Sequence, residues 1–304
     1  MRPPTFKQLQ AAARVAELGT VTRAAEELNL SPSAVSSTLK QLEENLGLEL
    51  FERTDEGFKL TVAGQEVIRA EAQIDAIISE LTNRIGELSG GQRGTVNLGV
   101  VSTAKYFAPF ILRAFQAVEP RIELHLKVGN REEIMSRLEN FTIDMAMIGR
   151  PPAHIEVEME EVGPHPHVVI AAPDHRLAKH RHVSASALAQ ETFLVREPGS
   201  GTRMLTERIL SQIGAAPKPG MEISSNETIK QAVMAGLGIS MLSYHTVAHE
   251  VQVGRLAILR VEGTPVIRKW YIARNKKKQL LPSPLRFWDF MKTNGGKYLP
   301  VLDT

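Results

Sequence analysis

The chain contains no cysteine among its 304 residues. A disulfide framework and thiolate metal sites are therefore excluded, and the absence suits a reducing cytoplasm. The N-terminus lacks the apolar core of a signal peptide, and no run approaches the ~18–20 apolar residues that a membrane span needs. We therefore expect a cytoplasmic protein that has no membrane partner.

Motifs of the common enzyme classes are absent as well. The sequence has no Walker loop, no GxSxG and no HExxH, and the GSG at residues 199–201 is too short for a dinucleotide fingerprint. An enzyme would need a nucleophile–base pair or a set of metal ligands, and a solute-binding transport component would need a signal peptide. Neither class is favoured, and we expect no catalytic residue, no metal and no cofactor.

The length of the chain predicts several domains, and its charge is distributed unevenly along the sequence. The length predicts two or three domains, and a hydrophobic content of 43% is enough for their cores. Residues 1–42 have five basic and three acidic side chains, whereas residues 43–90 have four basic and eleven acidic ones. A surface that faces phosphate is therefore expected early in the chain, although ordinary solvated helix faces would give the same pattern.

Three helices are predicted near the N-terminus. Thr5 caps the first helix and Gly19 ends it, and Thr22 caps a short second helix. Ser31 caps a third helix, with Pro32 at its first position. A short helix, a tight turn and a longer helix form a helix-turn-helix, whose second helix enters the major groove of DNA. The alternative is a three-helix bundle with no role in DNA binding.

The third helix would expose small polar side chains, and a β-hairpin would follow it. Serine hydroxyls can contact base edges and phosphates, and a lysine can pair with a phosphate. Arg53, at the root of the hairpin, could reach the minor groove or a phosphate. The exposed positions of the third helix are Ser33, Ser36, Ser37, Lys40 and Gln41.

A long amphipathic helix is predicted next, ending at Gly90 and Gly91. Its apolar stripe needs a partner, which we expect to be the same helix of a second subunit. The alternative is that the stripe packs on its own domain.

The first sixty or so residues resemble the N-terminal signature of LysR-type transcriptional regulators. FKQLQAAARVAELGTVTRAAEELNLSPSAVSSTLKQLEENLGLELFER, followed by LTVAGQ, matches without a gap. The resemblance implies a winged helix-turn-helix at residues 1–61, a linker helix for dimerisation at 62–91 and an effector-binding regulatory domain at 92–304. It further implies homodimers that assemble into a homotetramer, with promoter DNA and RNA polymerase as partners.

The same resemblance assigns candidate DNA contacts. Positions that contact base edges are Pro32, Ser33, Ser36 and Ser37, next to the cap Ser31. Positions near the DNA backbone are Thr22, Lys40, Arg53 and Thr61.

Strands and helices alternate from Gly94 onward, which predicts a parallel sheet covered by helices. Two such α/β series, with the chain crossing between them, predict a two-lobed domain like that of periplasmic binding proteins, as the resemblance also implies. Lobe I is expected at about residues 92–163 and 265–304, and lobe II at about 164–264. Ligand is expected between the carboxyl ends of the strands.

Three turns between a strand and a helix are candidates for an effector site. Helix N–H groups and hydroxyl side chains together suit an anion, and Arg203 could clamp a phosphate or carboxylate. Alternatively, the hydroxyl residues merely cap helices. Convergence of the three turns on one cleft, which the resemblance implies, favours the anion site. The candidates are Ser102, Thr103, Ser200, Gly201, Thr202, Arg203, Ser225, Asn226 and Glu227, with Arg150 after the third strand.

Five histidines lie close together in the sequence, at positions 165, 167, 175, 180 and 182. A metal site would need them to converge, and the stretch is predicted as loop and strand edges. A solvated polar loop is therefore the favoured interpretation.

Within the family, four segments resemble regulators of Calvin-cycle operons. The resemblance implies an activator of an operon for carbon-dioxide fixation. It also implies a phosphorylated or nucleotide-type effector, such as a sugar bisphosphate, phosphoenolpyruvate or NADPH. The alternative is a regulator of another metabolic operon with a small organic anion as effector. The segments are VVSTAKYFAPFILRAF, LVREPGSGTR, SNETIKQAVMAGLGISMLSYHT and KWYIARNKKKQLLP.

Overall fold

The computed structural model describes residues 2–54, 57–88, 94–150, 152 and 155–302. The chain divides into two compact units, one built mainly from residues up to 84 and the other from most of the residues that follow. Asp55 and Glu56, within the predicted β-hairpin, and the predicted helix end at Gly90 and Gly91 lie outside the described residues.

The N-terminal unit consists of helices and one antiparallel hairpin, as the sequence predicted. The hairpin is closed by backbone pairing that runs from Phe51 opposite Leu60 to Thr54 opposite Gly57. The elements are α1 (Phe6–Leu18), α2 (Val21–Glu27), α3 (Pro32–Leu46), β1 (Phe51–Thr54), β2 (Gly57–Leu60) and α4 (Val62–Leu88).

Caps set the ends of these helices. Thr5 and Gln8 form a capping box at the start of α1, and Gly19, with φ +72°, ends it. The prediction that Thr22 caps α2 is wrong, because the hydroxyl of Thr20 accepts the backbone N–H of Arg23 instead. Thr22 lies in the first turn of α2 and is exposed.

Small and aliphatic side chains fill the core of this unit. Ala24 and Ala25 of α2 are fully buried, and their small size allows α1 and α3 to approach closely. Val35 and Leu42 form the inner face of α3. The outer face of α3 is therefore left to its polar residues.

The C-terminal unit is built on a seven-stranded sheet and a smaller two-stranded one. Its elements, in chain order, are β3 (Thr95–Val101), α5 (Ala108–Val118), β4 (Glu123–Gly129), α6 (Arg131–Glu139), β5 (Met145–Ile148), β6 (Val157–Ala171), α7 (Ala185–Leu188), β7 (Thr192–Arg196), α8 (Gly201–Gln212), β8 (Lys218–Ile223), α9 (Asn226–Met234), β9 (Ser240–Ser243), α10 (Tyr244–Gln252), β10 (Ala257–Leu259), β11 (Val266–Asn275) and α11 (Pro282–Asn294).

The large sheet is mixed, whereas the alternation of strands and helices predicted a parallel one. β3 runs parallel to β4 and β5, but β6 and β11 are antiparallel to each other. The order is β10-β6-β11-β5-β3-β4, and β9 also pairs with β6. The antiparallel pairing arises because β11 comes back along β6 after lobe II is complete.

Two long strands belong to both lobes. The first part of β6 pairs with β11, and its last part pairs with β9 and β10. Lobe I is therefore formed around β3, β4 and β5, with Trp270 and Phe115 in its core, and lobe II around β7 to β10, with Phe193 and Met241 in its core.

The stretch around His165 and His167, which the sequence predicted as loop and strand edges, belongs to β6, a strand of 15 residues. Its acidic first half pairs with basic residues of β11, so that Glu158 contacts Arg274 and Glu161 contacts Lys269. These polar positions masked the strand in the sequence.

Among the described residues, no helix is both long and apolar enough to cross a membrane.

A buried ion pair joins β5 to the segment after β11. Lys278 Nζ lies 2.8 Å from Asp144 Oδ1, and both side chains are about one-tenth exposed. The other carboxylate oxygen of Asp144 accepts the backbone N–H of Asn97 at 2.7 Å. Removing one partner would leave an uncompensated buried charge.

We expect Lys278→Met to lower the free energy of unfolding of this unit by about 3 kcal/mol. The measurement is urea unfolding followed by tryptophan fluorescence, since both tryptophans, Trp270 and Trp288, lie in the C-terminal unit. Lys277→Met is the matched control, because the Lys277 side chain is exposed and should change stability by no more than about 0.5 kcal/mol. Equal midpoints for the two variants would contradict the prediction.

Candidate functional site

A cavity of about 70 Å³, called here the interlobe cavity, lies where the two lobes meet. Lobe I contributes the ends of β3 and β5 and the start of α6, and lobe II contributes the start of α8. The shared strands β6 and β11 form the rest. Its polar lining residues are Ser102, Thr103, Asn130, Arg131, Arg150, His165, His167, Ser200, Thr202, Arg208 and Arg268.

The first predicted turn lies at the end of β3 in the cavity wall. Ser102 donates its backbone N–H to the carbonyl of Gly129 at 2.8 Å, and Thr103 is buried. The turn does not start a helix as predicted, because α5 begins at Ala108. The Ser102 and Thr103 hydroxyls are therefore not used as helix caps.

The second predicted turn brings the start of α8 to the cavity. Ser200 caps α8, and Ser200, Gly201 and Thr202 all line the cavity. Gly199 has φ +79°, and a Cβ atom there would lie 2.6 Å from Oε2 of Glu132 on α6. The left-handed backbone at Gly199 favours glycine, and the turn lies close to the side chain of Glu132 in lobe I.

The β6–β11 pairing brings three titratable side chains together. His165 lies directly opposite Arg268, and His167 lies opposite Val266. Directly opposed residues of an antiparallel pair share a face, as do residues two apart along a strand. His165, His167 and Arg268 therefore line the same wall, where Arg268 Nη2 donates to the carbonyl of Gly149 at 2.5 Å.

Four guanidinium groups converge on the interlobe cavity, and no Asp or Glu is among its described lining residues. Burial lowers the pKa of Arg268 to about 10, with further lowering by Arg208, Arg150 and Arg131. Burial and Arg150 also lower the pKa of Arg131. Because guanidinium groups keep their positive charge in proteins, the cavity has a positive potential and suits an anion that carries more than one charge.

The two cavity histidines are neutral. Burial lowers the pKa of His167 to about 3, and Arg268 contributes to the shift. Burial, followed by the neighbouring His167, His245 and Arg268, lowers the pKa of His165 well below its usual value. His167 Nδ1 donates to the carbonyl of His165 at 3.2 Å, and the two rings are 4.2 Å apart. The positive charge of the cavity therefore comes from the arginines.

The prediction of a solvated polar loop is wrong for His165 and His167, because β6 buries both. It fits His180 and His182, which are exposed, while His175 is partly buried and lies 3.3 Å from a carboxylate oxygen of Glu191. Within the described part of the chain, no three His, Asp or Glu side chains are arranged to hold a metal ion.

Four predicted effector residues do not line the interlobe cavity. The guanidinium of Arg203 contacts the carboxylates of Glu207 and Glu222. Ser225 caps α9 by accepting the N–H of Thr228 at 3.3 Å. Asn226 accepts a hydrogen bond from Arg196, and Glu227 accepts one from Tyr106. The third turn therefore lies beside the cavity wall, not in it.

Sequence reasoning missed the five arginine and histidine residues of the lining other than Arg150, which are Arg131, His165, His167, Arg208 and Arg268, and it also missed Asn130. A signal existed for Arg268, because it is two residues before the buried Trp270 and so has the inward register of a strand. His165 and His167 likewise lie four and two residues before the buried core residue Val169, and residues two apart along a strand share a face. A charged or titratable residue on the inner face of a strand indicates a lined cavity.

The N-terminal unit presents the predicted polar face. Ser31 caps α3 by accepting the N–H of Ala34 at 3.2 Å, and Thr61 Oγ1 accepts the N–H of Gly64 at 3.0 Å at the start of α4. The side chain of Arg53, in β1, lies outside the described part of the structure. The predicted DNA contacts on and just before α3 are all exposed, namely Ser31, Pro32, Ser33, Ser36, Ser37 and Lys40.

Two family models match the chain. The bacterial regulatory helix-turn-helix protein, lysR family, matches residues 6–65, and the LysR substrate binding domain matches residues 89–296. The resemblance on which the sequence analysis relied is therefore confirmed in both parts of the chain.

Curated relatives match along nearly the whole chain. The HTH-type transcriptional regulator CbbR of Xanthobacter flavus is 47% identical over 300 residues, covering 98% of this chain and 90% of the relative. The RuBisCO operon transcriptional regulator of Allochromatium vinosum is 41% identical over 293 residues, covering 96% of this chain and 97% of the relative.

A solved structure with a bound ligand is also similar. It is the Synechocystis PCC6803 CcmR regulatory domain in complex with 2-PG, at 38% identity and a TM-score of 0.63. The match covers 66% of this chain and 96% of that domain.

The buried histidines predict a loss of stability as the pH falls below about 6.5. Burial keeps His165 and His167 neutral and lowers the pKa of His245 to about 4. Unfolding restores imidazole pKa values near 6.5, so the unfolded state takes up protons that the folded state does not. We expect the free energy of unfolding to fall by about 1.4 kcal/mol per histidine between pH 7.5 and 5.5, with little change above pH 7.5.

The measurement is urea unfolding at the two pH values, again by tryptophan fluorescence. His245→Asn, which keeps an acceptor for the indole N–H of Trp270, should remove about one-third of the pH effect. His182→Asn, at an exposed site, should leave the effect unchanged. If His245→Asn and His182→Asn gave the same pH effect, the proposed proton linkage would be wrong.

The exposed side chain of Lys40 allows a prediction of how DNA binding depends on salt concentration. Its side chain is 79% exposed on the polar face of α3. A lysine that neutralises one phosphate contributes about 0.9 to the slope of log K against log salt concentration. We expect Lys40→Gln to weaken binding to all sequences alike and to reduce the slope by about 0.9 per bound subunit. Lys7→Gln, on the exposed part of α1, is the control, and an unchanged slope in Lys40→Gln would exclude the phosphate contact.

Proposed function

The chain belongs to the LysR family of DNA-binding transcriptional regulators, and we propose that it controls an operon for carbon-dioxide fixation in response to a small phosphorylated anion. The choice of operon is supported by identities of 47% and 41% to the CbbR and RuBisCO operon regulators along nearly the full chain. The choice of effector is supported by one observation above all, the convergence of four arginines on a cavity whose described lining residues include no carboxylate.

Cavity size favours a small anion over NADPH. A volume of about 70 Å³ holds roughly five water molecules at ~10–15 Å³ each, which is far less than a dinucleotide fills. Charge also favours a small phosphorylated anion, because a phosphate with a second anionic group offsets most of the positive charge of the four cavity arginines. The 2-PG complex of the similar Synechocystis domain supports the same ligand class.

DNA recognition is assigned to the N-terminal unit. The exposed serines of α3 would enter the major groove, while Lys40, Arg53 and Thr61 would contact the backbone. The apolar stripe of α4 supports a homodimer through this helix, since Ile77 and Leu81 are 61% and 56% exposed. Two dimers would form the homotetramer that binds promoter DNA in the cytoplasm.

Effector binding would act by closing the lobes. Ser102, Thr103 and Arg131 belong to lobe I, whereas Ser200 and Thr202 belong to lobe II, and all five line one cavity. An anion that contacts both lobes binds the closed arrangement more tightly and therefore shifts the population toward it. The shift would change how the dimers bend the promoter and contact RNA polymerase, and so activate transcription.

The test is footprinting of the full-length protein on the DNA upstream of its own gene. The panel would contain 2-PG, phosphoenolpyruvate, a sugar bisphosphate and NADPH, together with non-phosphorylated organic acids. We expect a long protected region that shortens, or loses its bend, with a small phosphorylated member. A response only to a non-phosphorylated acid would favour a regulator of another metabolic operon, and a response only to NADPH would overturn the effector class.

Arg268 should be required for the effector response but not for DNA binding. Arg268→Met removes one charged donor from the cavity, which costs about 2 kcal/mol and therefore weakens effector binding by roughly 30-fold. Arg274→Met is the matched control, because Arg274 is on the same strand, pairs with Glu158 and does not line the cavity. Equal effector affinity in the two variants would place the anion elsewhere.

A further inference from the structure

Arg196 is a buried arginine that lies behind the interlobe cavity, not in its lining. It ends β7, and its side chain is 3% exposed. Its Nε and Nη2 atoms donate to the two carboxylate oxygens of Glu197, at 2.7 and 2.8 Å. Because this pair neutralises the charge and the guanidinium does not reach the cavity, Arg196 is unsuited to attract an anion directly.

The remaining donors of Arg196 join the lobes. Nη1 donates to the side-chain oxygen of Asn226, the first residue of α9 in lobe II. Nη2 also donates to the hydroxyl oxygen of Ser102 in lobe I and to the backbone carbonyl of Ser224 in lobe II, each at 3.3 Å. Arg196 thus connects the start of α9 to a residue of the cavity wall.

The contact determines what Ser102 can do. A serine hydroxyl has one proton and two lone pairs, and a charged donor on one lone pair leaves the proton available to an acceptor. Ser102 lines the interlobe cavity, so the acceptor can be an oxygen of the bound anion. Polarisation by the guanidinium makes the hydroxyl a stronger donor.

A second contact between the lobes lies on the next residue of α9. Tyr106, which follows the Ser102 turn, donates its hydroxyl to Glu227 at 3.0 Å. Glu227 also pairs with Lys230, whose side chain is 4% exposed. Asn226 and Glu227, which line no part of the cavity, therefore hold α9 against the segment that contains Ser102.

We propose that Arg196 is a positioning residue for the effector, which directs the hydroxyl proton of Ser102 into the interlobe cavity and links the bound anion to the start of α9. The inference rests on the proposed function, because it needs the cavity to bind an anion. It assigns Asn226 and Glu227 to the connection between the lobes and not to the ligand.

The experiment is a double-mutant cycle on effector affinity in the full-length protein, with calorimetric titration of 2-PG. We expect Ser102→Ala and Arg196→Met each to weaken binding about tenfold. The double variant should bind the effector no more than about tenfold more weakly than wild type does, because Arg196 acts through the Ser102 hydroxyl. Arg274→Met, which removes the same charge, should bind like wild type, and all variants should bind operator DNA normally without ligand.

A purely structural role for Arg196 gives different results. If the two losses of effector affinity multiply to about 100-fold in the double variant, the inference is overturned. Wild-type effector affinity in Arg196→Met would overturn it as well. If Arg196→Met does not melt cooperatively, Arg196→Lys takes its place, since a lysine can pair with Glu197 but cannot also serve Ser102 and Asn226. If wild-type protein binds neither 2-PG nor another phosphorylated member of the panel at 10 mM, the proposed effector site and the inference are both overturned. If wild-type protein binds and the variants alone give the contrary result, only the role of Arg196 is overturned.

Discussion

The antiparallel pairing of β6 with β11 is the constraint on which the C-terminal unit depends. These two strands extend through both lobes, so the lobes share one sheet and meet along a continuous backbone ladder. The register places Arg268 directly opposite His165, and a shift of one strand by one residue would place these two side chains on opposite faces of the sheet. The cavity wall is therefore determined by strand pairing, while the turns after β3 and before α8 close it from either side.

The charge of the cavity has a cost that the fold must offset. Four guanidinium groups near one another repel, and burial increases the repulsion around Arg268. Backbone carbonyls provide part of the compensation, since Gly149 accepts from Arg268 and Arg150 from Arg131. The two histidines add no further charge. Such an arrangement is typical of functional sites, where stability is lowered for the sake of binding.

Local signals in the sequence predicted most helices and the cavity turns, but not the strand-borne residues of the cavity. Ser31, Gly19 and the turn at Ser200 have caps or special backbone conformations, and such features depend on neighbouring residues alone. Arg268 and His165 are about one hundred residues apart, and only the β6–β11 register brings them together. Thr20 and Thr22 are both good caps, and the choice between them depends on where the chain turns after Gly19. The third turn was predicted as a ligand site because its sequence cannot distinguish a helix cap beside a cavity from one inside it.

The positive charge of the interlobe cavity, whose described lining residues include no carboxylate, has a consequence for the lifetime of the protein. A ligand that binds only the folded state raises the free energy of unfolding by RT ln(1 + [L]/Kd), about 2.7 kcal/mol at a ligand concentration of 100 times Kd. An anion bound as proposed would also relieve the repulsion among the arginines, so the ligand-free chain would be the form more exposed to unfolding and proteolysis. The cellular amount of the regulator, as well as its activity, would then rise and fall with the metabolite that it senses.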